Sequence, residues 1–409
     1  MSQRGRVVVL GAGPAGMAAA LSIAQAGHEV ILLERYAEAR PAGNILNLWP
    51  PPIKALGLMG VDTKDLGAPC QSEFQRADGK VRAVIHLPEK VVEQYGGGFI
   101  GMLRPQLYKR LLDTIPAGIL RLNTQVDRFE QNDDGVKLHL ADGTVLEADV
   151  LVGADGIDSL VRRTLWGDLP KREHNLHIIG GFTFETSADV PTGRCVVMHS
   201  RKVQGSYTAI KHQGKAGYQW WVLEAHDGKA EFTGDLWQHA TKLGSEFASP
   251  LPELIASTDP KNLQRWVIRD RPALGQWSKG RVTLIGDAAH PTSPYAAYGA
   301  GMSIEDGYFL GRRLAGVDLK DPKAVEAALQ AFEEPRKKHT AFQVNMAYKL
   351  GQLFHHTAAP LRPLRDAFFD HSPFLQKMIG DGTPGEIVKQ IDEIQVAEDA
   401  FEAGRAVRS

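Results

Sequence analysis

Residues 6–34 read RVVVLGAGPAGMAAALSIAQAGHEVILLE, and the fold turns on them. Arg6 to Leu10 is a continuous β-branched run, the pattern of a strand covered on both faces of a parallel sheet. Gly11 to Gly16 follow as a G-x-G-x-x-G turn, and Met17 to Ala26 is an alanine-rich helix closed by Gly27. Glu29 to Leu33 then form a second strand that ends at Glu34, 18 residues past Gly16. This is a β-α-β unit of the kind that binds a dinucleotide. Gly11 permits the tight turn, Gly13 lets backbone approach a pyrophosphate, and Gly16 allows close helix–strand packing. Pro14 and Ala15 open the helix, whose free amides favour phosphate charge. Glu34 is placed to accept hydrogen bonds from a ribose 2′-hydroxyl. An acid there disfavours a 2′-phosphate, so the resident ligand is expected to be NAD or FAD, not NADP.

The rest of the 409 residues has ordinary globular composition, 43% hydrophobic and 23% charged. The 47 basic residues balance 48 acidic ones, which argues against a general nucleic-acid binder. Cys70 and Cys195 lie 125 residues apart, so a disulfide scaffold is not expected and a reducing cytoplasm is the default. No leader peptide and no run of 18 apolar residues is visible, so no membrane association is expected. A second G-x-G-x-x-G match at Gly96–Gly101 follows the polar segment Val91–Tyr95 and reads as a loop. Helical spacing marks Pro105 to Ile115, and strands are expected at Leu120 to Asn123, Val136 to Leu140 and Val145 to Val152. Asp142-Gly143 signals a hairpin between the last two. From His177 to Ala225 strands dominate, with turns expected at Gly205, Gly214 and Gly217. Beyond Pro322 the chain reads as helix, broken at Pro360 and Pro363.

Two more motifs repeat the strand–turn–helix pattern. Gly153-Ala154-Asp155-Gly156 follows the strand Ala148 to Val152, and Gly286-Asp287-Ala288-Ala289-His290 follows Arg281 to Ile285. Alone, each could be an Asx turn between strand and helix. Asp287 at a strand end could also bind a ribityl hydroxyl, with a helix N-terminus behind it facing a polarised ring carbonyl.

In this order and spacing the three motifs resemble the FAD-dependent aromatic hydroxylases, the class A flavoprotein monooxygenases that include p-hydroxybenzoate, salicylate and urate hydroxylases. The resemblance covers roughly residues 5–350 and extends to Asp270-Arg271-Pro272 and the Trp277 to Val282 lead-in. It implies an α/β fold: a Rossmann-type FAD-binding domain interleaved with an antiparallel β-sheet substrate domain, then a helical C-terminal tail. The expected boundaries are 1–175 and 270–330 for the FAD domain, 176–269 for the substrate sheet and 331–409 for the helices. It further implies hydroxylation of an aromatic or heteroaromatic ring by O₂ through a flavin C4a-hydroperoxide, with NAD(P)H as a transient reductant. Such an enzyme would be a monomer or homodimer. An epoxidase or dehydrogenase on the same scaffold, or a non-catalytic carrier, are the alternatives.

The resemblance also assigns roles. Arg104 matches an arginine that contacts the FAD pyrophosphate or ribityl chain, Val126 a position whose backbone meets the adenine, and Arg35 a residue that covers the adenosine. Asp155 and Gly156 would support the phosphates and the nicotinamide path. Pro294 and the amides of Gly299, Ala300, Gly301 and Met302 would lie at the ring end. Where the family has Gly-Gln-Gly, this chain has Ala297-Tyr298-Gly299. Tyr298 is expected either to pack beside the ring and narrow the pocket or to face solvent. Asn47, Tyr207, Tyr218, Trp220, Pro294 and Tyr298 are the substrate-pocket candidates. Trp220 and Trp221 must face opposite ways on a strand. No side chain can be assigned as catalytic base. The histidines His174, His177, His290, His355 and His356 lack a persuasive third ligand, so no metal is expected.

Overall fold

Arg6–Leu10 is the middle strand of a five-stranded, all-parallel sheet. Its order is Val282–Leu284, Val150–Gly153, Arg6–Leu10, Glu29–Leu33 and Leu120–Arg121. The computed structural model describes residues 5–38, 44–96, 98–185, 189–228 and 232–408. The sheet is buried on both faces, as its β-branched runs require. On one face lies the helix Pro14–Gln25, crossed closely by the helix Gly299–Leu314. That crossing depends on small residues. A Cβ on Gly307 would stand 2.4 Å from the Ala19 amide nitrogen, and one on Gly311 would stand 2.2 Å from Ser22 Oγ. The Ser22 hydroxyl donates across the interface to the Tyr308 carbonyl at 2.8 Å. Helix 299–314 is thereby fixed against the dinucleotide-motif helix.

The second sheet has nine strands, antiparallel except where Arg194–His199 runs parallel to Ala68–Arg76. Its origin corrects the expectation of a substrate sheet drawn from 176–269. Ile45–Leu48, Ala68–Arg76, Val81–Val84 and Phe99–Leu103 join five strands from 172–270. Helices Leu236–Gly244 and Leu251–Ala256 cover one face with a core that includes Trp220, Leu243, Phe247 and Leu251. The other face carries Cys70 and Cys195, which share a buried cluster with Tyr298 and Met302.

Several local readings need revision. Gly205 and Gly217 lie inside strands, and only Gly214 turns the chain. Their small size serves packing: a Cβ at Gly205 would meet Leu251 at 2.5 Å, and one at Gly217 would meet Phe184 at 2.5 Å. The segment Val145 to Val152 is two strands. Val145–Ala148 closes a three-stranded sheet with Gly135–Leu140 and Val126–Asn132, whereas Val150–Gly153 enters the parallel sheet. The switch falls at Asp149, whose carboxylate accepts the Arg6 amide at 2.7 Å and pairs with Lys320 at 2.7 Å. Gly96 caps the helix Glu89–Tyr95, and Phe99–Leu103 is a strand, so the second glycine match is not one loop; Gly97 lies outside the described residues.

The C-terminal part is helical as expected, in Pro322–His355, Arg362–His371 and Gly382–Arg408. Pro360 lies in the short turn Ala359–Leu361, but Pro363 starts the following helix and does not break one. Among the described residues no helix is long and apolar enough to cross a membrane.

Candidate active site

The C-terminal ends of adjacent parallel strands gather the three motifs in one place. The Leu10 carbonyl accepts the Ala154 amide at 2.9 Å, and the Gly153 carbonyl accepts the Ile285 amide at 3.0 Å. Glu34 adjoins Gly11–Gly16 on the other side, and Asp155-Gly156 and Gly286-Asp287 follow along the same edge of the sheet. This is the edge of an open α/β sheet where ligands bind.

The glycines divide the space as a bound dinucleotide requires. Gly11 has φ +104, and its Cβ would stand 2.5 Å from the Ala154 carbonyl oxygen. A Cβ on Gly16 would lie 1.9 Å from the Gly11 carbonyl oxygen. At Gly13, by contrast, a Cβ would meet no protein atom within 4 Å. Protein fills the positions of the first and third glycines and leaves the second open. That opening stands at the start of helix Pro14–Gln25, whose first amides have no intrahelical partner. Glu34 is buried; one carboxylate oxygen accepts the Ala12 amide at 3.0 Å and the other the Tyr36 amide at 3.0 Å. Those bonds lock the carboxylate at the strand end. The Thr124 amide donates to the Glu34 carbonyl at 2.8 Å, which brings the backbone leading to Val126 alongside. Arg35 is exposed there and its guanidinium donates to the Tyr36 hydroxyl at 3.0 Å.

Asp155 caps the helix Leu160–Trp166 by accepting the Leu160 amide at 2.7 Å through Oδ2. Its Oδ1 is buried without a hydrogen-bond partner, and burial raises the carboxyl's pKa against those bonds. Gly156 follows with φ +79. Asp287 opens onto the cleft but sits in a recess. Poor hydration raises its pKa, opposed by His290 and Arg104. Arg104, at the start of helix Arg104–Thr114, is close enough for Asp287 to counter the effect of burial on its guanidinium. An open glycine, a locked ribose-side acid, an orphaned carboxylate oxygen and an Asp–Arg couple in a recess fit FAD.

The ring-end loop is tied down from beneath. Asp306 accepts the Gly286 amide at 2.9 Å, pairs with His290 at 2.6 Å and with Arg336 at 2.8 Å. Burial would raise its pKa, but His290 and Arg336 outweigh burial and hold it at about 2. Arg336 also pairs with Glu305 at 3.1 Å, and Glu305 accepts the Tyr298 hydroxyl at 2.5 Å. Tyr298 is buried and edge-on to His339, so it does not face solvent. Ala297, where the family has glycine, takes the left-handed conformation with φ +49. The helix begins at Gly299, and the Met302 amide is already bonded to the Tyr298 carbonyl at 2.8 Å. The outward amides are those of Gly299, Ala300 and Gly301, which leaves Met302 out. Pro294 is exposed on the same loop.

Above this loop the inner face of the nine-stranded sheet carries Gln204, Ser206, Thr208, Gln219 and Trp221. The register shows it, because Ser206 pairs with Trp221 and Thr208 with Gln219. Asn47 belongs to this wall: its side-chain oxygen accepts the Gln219 amide at 2.7 Å. Tyr207 and Trp220 do not. They pair with each other on the opposite face, and the Trp220 indole donates to Thr258 at 2.8 Å inside that core. Tyr218 shares their face and donates to the Val190 carbonyl at 3.1 Å. The alternation allowed at most one of the two tryptophans to point into a pocket, and the one on the inner face is Trp221. Sequence reading also missed Tyr295, whose ring packs against the buried cluster of Leu176, Ile178, Leu223 and Ile268 and whose hydroxyl meets His355. Its position directly after Pro294 was the available signal.

A recess of about 670 Å³ beside Arg6, Glu29 and Asp149 lies at the opposite end of the parallel strands and takes no part in this site. Among the described residues no cluster could hold a metal ion.

Comparison with known proteins agrees with this geometry. Residues 4–347 match the FAD_binding_3 family, described as the FAD binding domain. The chain is 31% identical over 380 residues to the 3-amino-4-hydroxybenzoate 2-monooxygenase PtmB3 of Streptomyces platensis, covering 89% of this chain and 92% of that protein. It is 30% identical over 360 residues to the 6-hydroxynicotinate 3-monooxygenase of Bordetella bronchiseptica, covering 83% and 90%. Klebsiella pneumoniae HpxO, solved with FAD and uric acid, shares the fold with a TM-score of 0.80 at 22% identity, over 95% of this chain and 98% of that one.

Proposed function

We propose, for a chain that belongs to the FAD-binding-domain family, that the cleft between the parallel strand ends and the inner face of the second sheet hydroxylates a small aromatic or heteroaromatic ring. The enzyme is an FAD-dependent monooxygenase that uses NAD(P)H and O₂. The observation that carries the reading is the convergence of Glu34, Gly13 and Asp287 on one sheet edge, with open space only over Gly13 among the three motif glycines.

Gly13 and the helix behind it would receive the pyrophosphate, Glu34 the ribose, and Asp287 with Arg104 the ribityl end. Bound FAD supplies the redox and oxygen chemistry. The chain's own tasks are to orient the ring and exclude water. The amides of Gly299, Ala300 and Gly301 lie at the positive end of a helix dipole and favour negative charge at the ring end. Asn47 and Trp221, both half-buried on the inner sheet face, would supply an amide and an aromatic plate to the ring, whereas Ser206, Thr208 and Gln219 are fully buried and bonded to protein partners. Among the described residues there is a single nucleotide-binding β-α-β unit of this kind. NAD(P)H would therefore visit the cleft transiently while FAD stays seated on Gly13, Glu34 and Asp287.

The relatives named for hydroxybenzoate and hydroxynicotinate support a substituted single ring as substrate. A screen of aromatic acids, phenols and N-heterocycles for accelerated NAD(P)H oxidation tests the reading. A matching ring should speed oxidation and yield hydroxylated product in equal amount. Fast oxidation that ignores every ring, with no oxygenated product, would indicate an oxidase or reductase.

A further inference from the structure

Tyr295 and His355 form a pair that neither the cofactor site nor the resemblance uses. Tyr295 is half-buried and follows Pro294 directly. Its ring packs against the buried cluster of Leu176, Ile178, Leu223 and Ile268, to which Trp221 of the inner sheet face also packs, and lies against Gly351 and Phe354 of the long helix. Its hydroxyl is hydrogen-bonded to His355 Nε2. His355 is buried at the end of helix Pro322–His355.

The direction of that bond follows from what surrounds the imidazole. Burial first, then His356, Arg365 and Arg362, push its pKa down to about 3, with the Lys202 backbone carbonyl opposing them. His199 lies on the sheet side, its ring 6.5 Å from that of His355. No carboxylate is among the groups that shift the imidazole, so it carries one proton at neutral pH. Nδ1 is buried with no donor to receive, and the neighbouring Lys202 carbonyl can only accept, which places the proton on Nδ1. Nε2 is then an acceptor, and the Tyr295 O–H must donate to it. The tyrosine oxygen keeps its lone pairs for another partner.

We infer that Tyr295, oriented by His355, is a specificity-determining residue. It presents a hydrogen-bond acceptor to the substrate and selects rings that carry a donor beside the pocket wall, whether hydroxyl, amine or lactam N–H. This rests on the aromatic-ring reading above. His355 is a positioning residue that acts through the tyrosine.

The test uses the full-length FAD-loaded enzyme and two probe pairs: 3-hydroxybenzoate with 3-methoxybenzoate, and 6-hydroxynicotinate with 6-methoxynicotinate. Dissociation constants come from the change in flavin absorption, without turnover. Wild type should prefer the hydroxyl member by about tenfold, the size of one hydrogen bond left unmade. Tyr295→Phe should bring the ratio close to one, with unchanged FAD content and unchanged affinity for the methoxy probe. His355→Phe should also collapse the ratio, since the freed tyrosine hydroxyl can then donate to the ether oxygen. The wild-type ratio should hold steady from pH 5 to pH 8, because the imidazole stays neutral throughout. A Tyr295→Phe enzyme that keeps the preference overturns the assignment, as does equal weakening of both probes in a pair. Retention of the ratio in His355→Phe refutes the orienting role. If wild type binds none of the four probes, the substituted-ring reading falls and takes the assignment with it.

Discussion

Replacing Gly13 by alanine should separate cofactor binding from folding. A Cβ there meets no protein atom within 4 Å, and φ −73 with ψ 178 suits any L-residue. Alanine narrows the unfolded ensemble, a gain of about 0.4–1 kcal/mol. As a helix N-cap it is poorer than glycine by a similar amount. The apo-protein should therefore stay within about 1 kcal/mol of wild type, a melting shift of no more than about 4 °C. FAD meets a different surface. A methyl group in the pyrophosphate's space should cost about 1–3 kcal/mol, as overpacked contacts do, and so weaken binding roughly 5- to 150-fold. Thermal melting of the apo-protein and titration by FAD fluorescence quenching give both values from one preparation. Gly16→Ala is the contrasting control, because its Cβ would stand 1.9 Å from the Gly11 carbonyl oxygen. It should lower apo stability before any cofactor is added. A Gly13→Ala protein that binds FAD as tightly as wild type refutes the placement of the pyrophosphate.

Asp287→Ala should weaken FAD binding by about 1–3 kcal/mol, the cost of a polar partner left unsatisfied, while apo melting stays unchanged; an unaltered dissociation constant would contradict the ribityl role. Asp306 is depressed from 3.8 to about 2, so its contribution is complete above about pH 4 and is lost as pH falls toward 2. The stability gap between wild type and Asp306→Asn should accordingly shrink by about 2 kcal/mol across that window; denaturant unfolding at pH 5 and pH 2 reads it, and a constant gap counts against the His290–Asp306–Arg336 network. Ala297→Gly should raise the stability by about 1 kcal/mol, since alanine at φ +49 holds a left-handed conformation that glycine adopts freely; a lower melting temperature would show that the methyl packs usefully.

Much of the cofactor side was legible because its constraints are local. Gly11, Gly13 and Gly16 carry their steric roles within six residues, and each motif directly follows its own strand. The ring side was not legible, because its partners are distant in sequence. Nothing near Glu305 and Asp306 announces Arg336, and nothing near Tyr295 announces His355. The inner sheet face shows the same limit. Alternation separates Trp220 from Trp221 but does not say which one helices 236–256 will cover. Strands 45–103 pair with strands from 172–270, a register that only tertiary packing selects. Gly205 and Gly217 resemble turn residues in sequence, yet they are small because Leu251 and Phe184 press on them.

Isotope labelling asks most directly what the cleft does. With the ring chosen by the substrate screen, turnover under ¹⁸O₂ in ordinary water should place one ¹⁸O atom in the product for each NAD(P)H consumed. Turnover under ordinary O₂ in H₂¹⁸O should place none in the new hydroxyl. Product labelled from water, or NAD(P)H oxidised with hydrogen peroxide as the sole product, would contradict a monooxygenase.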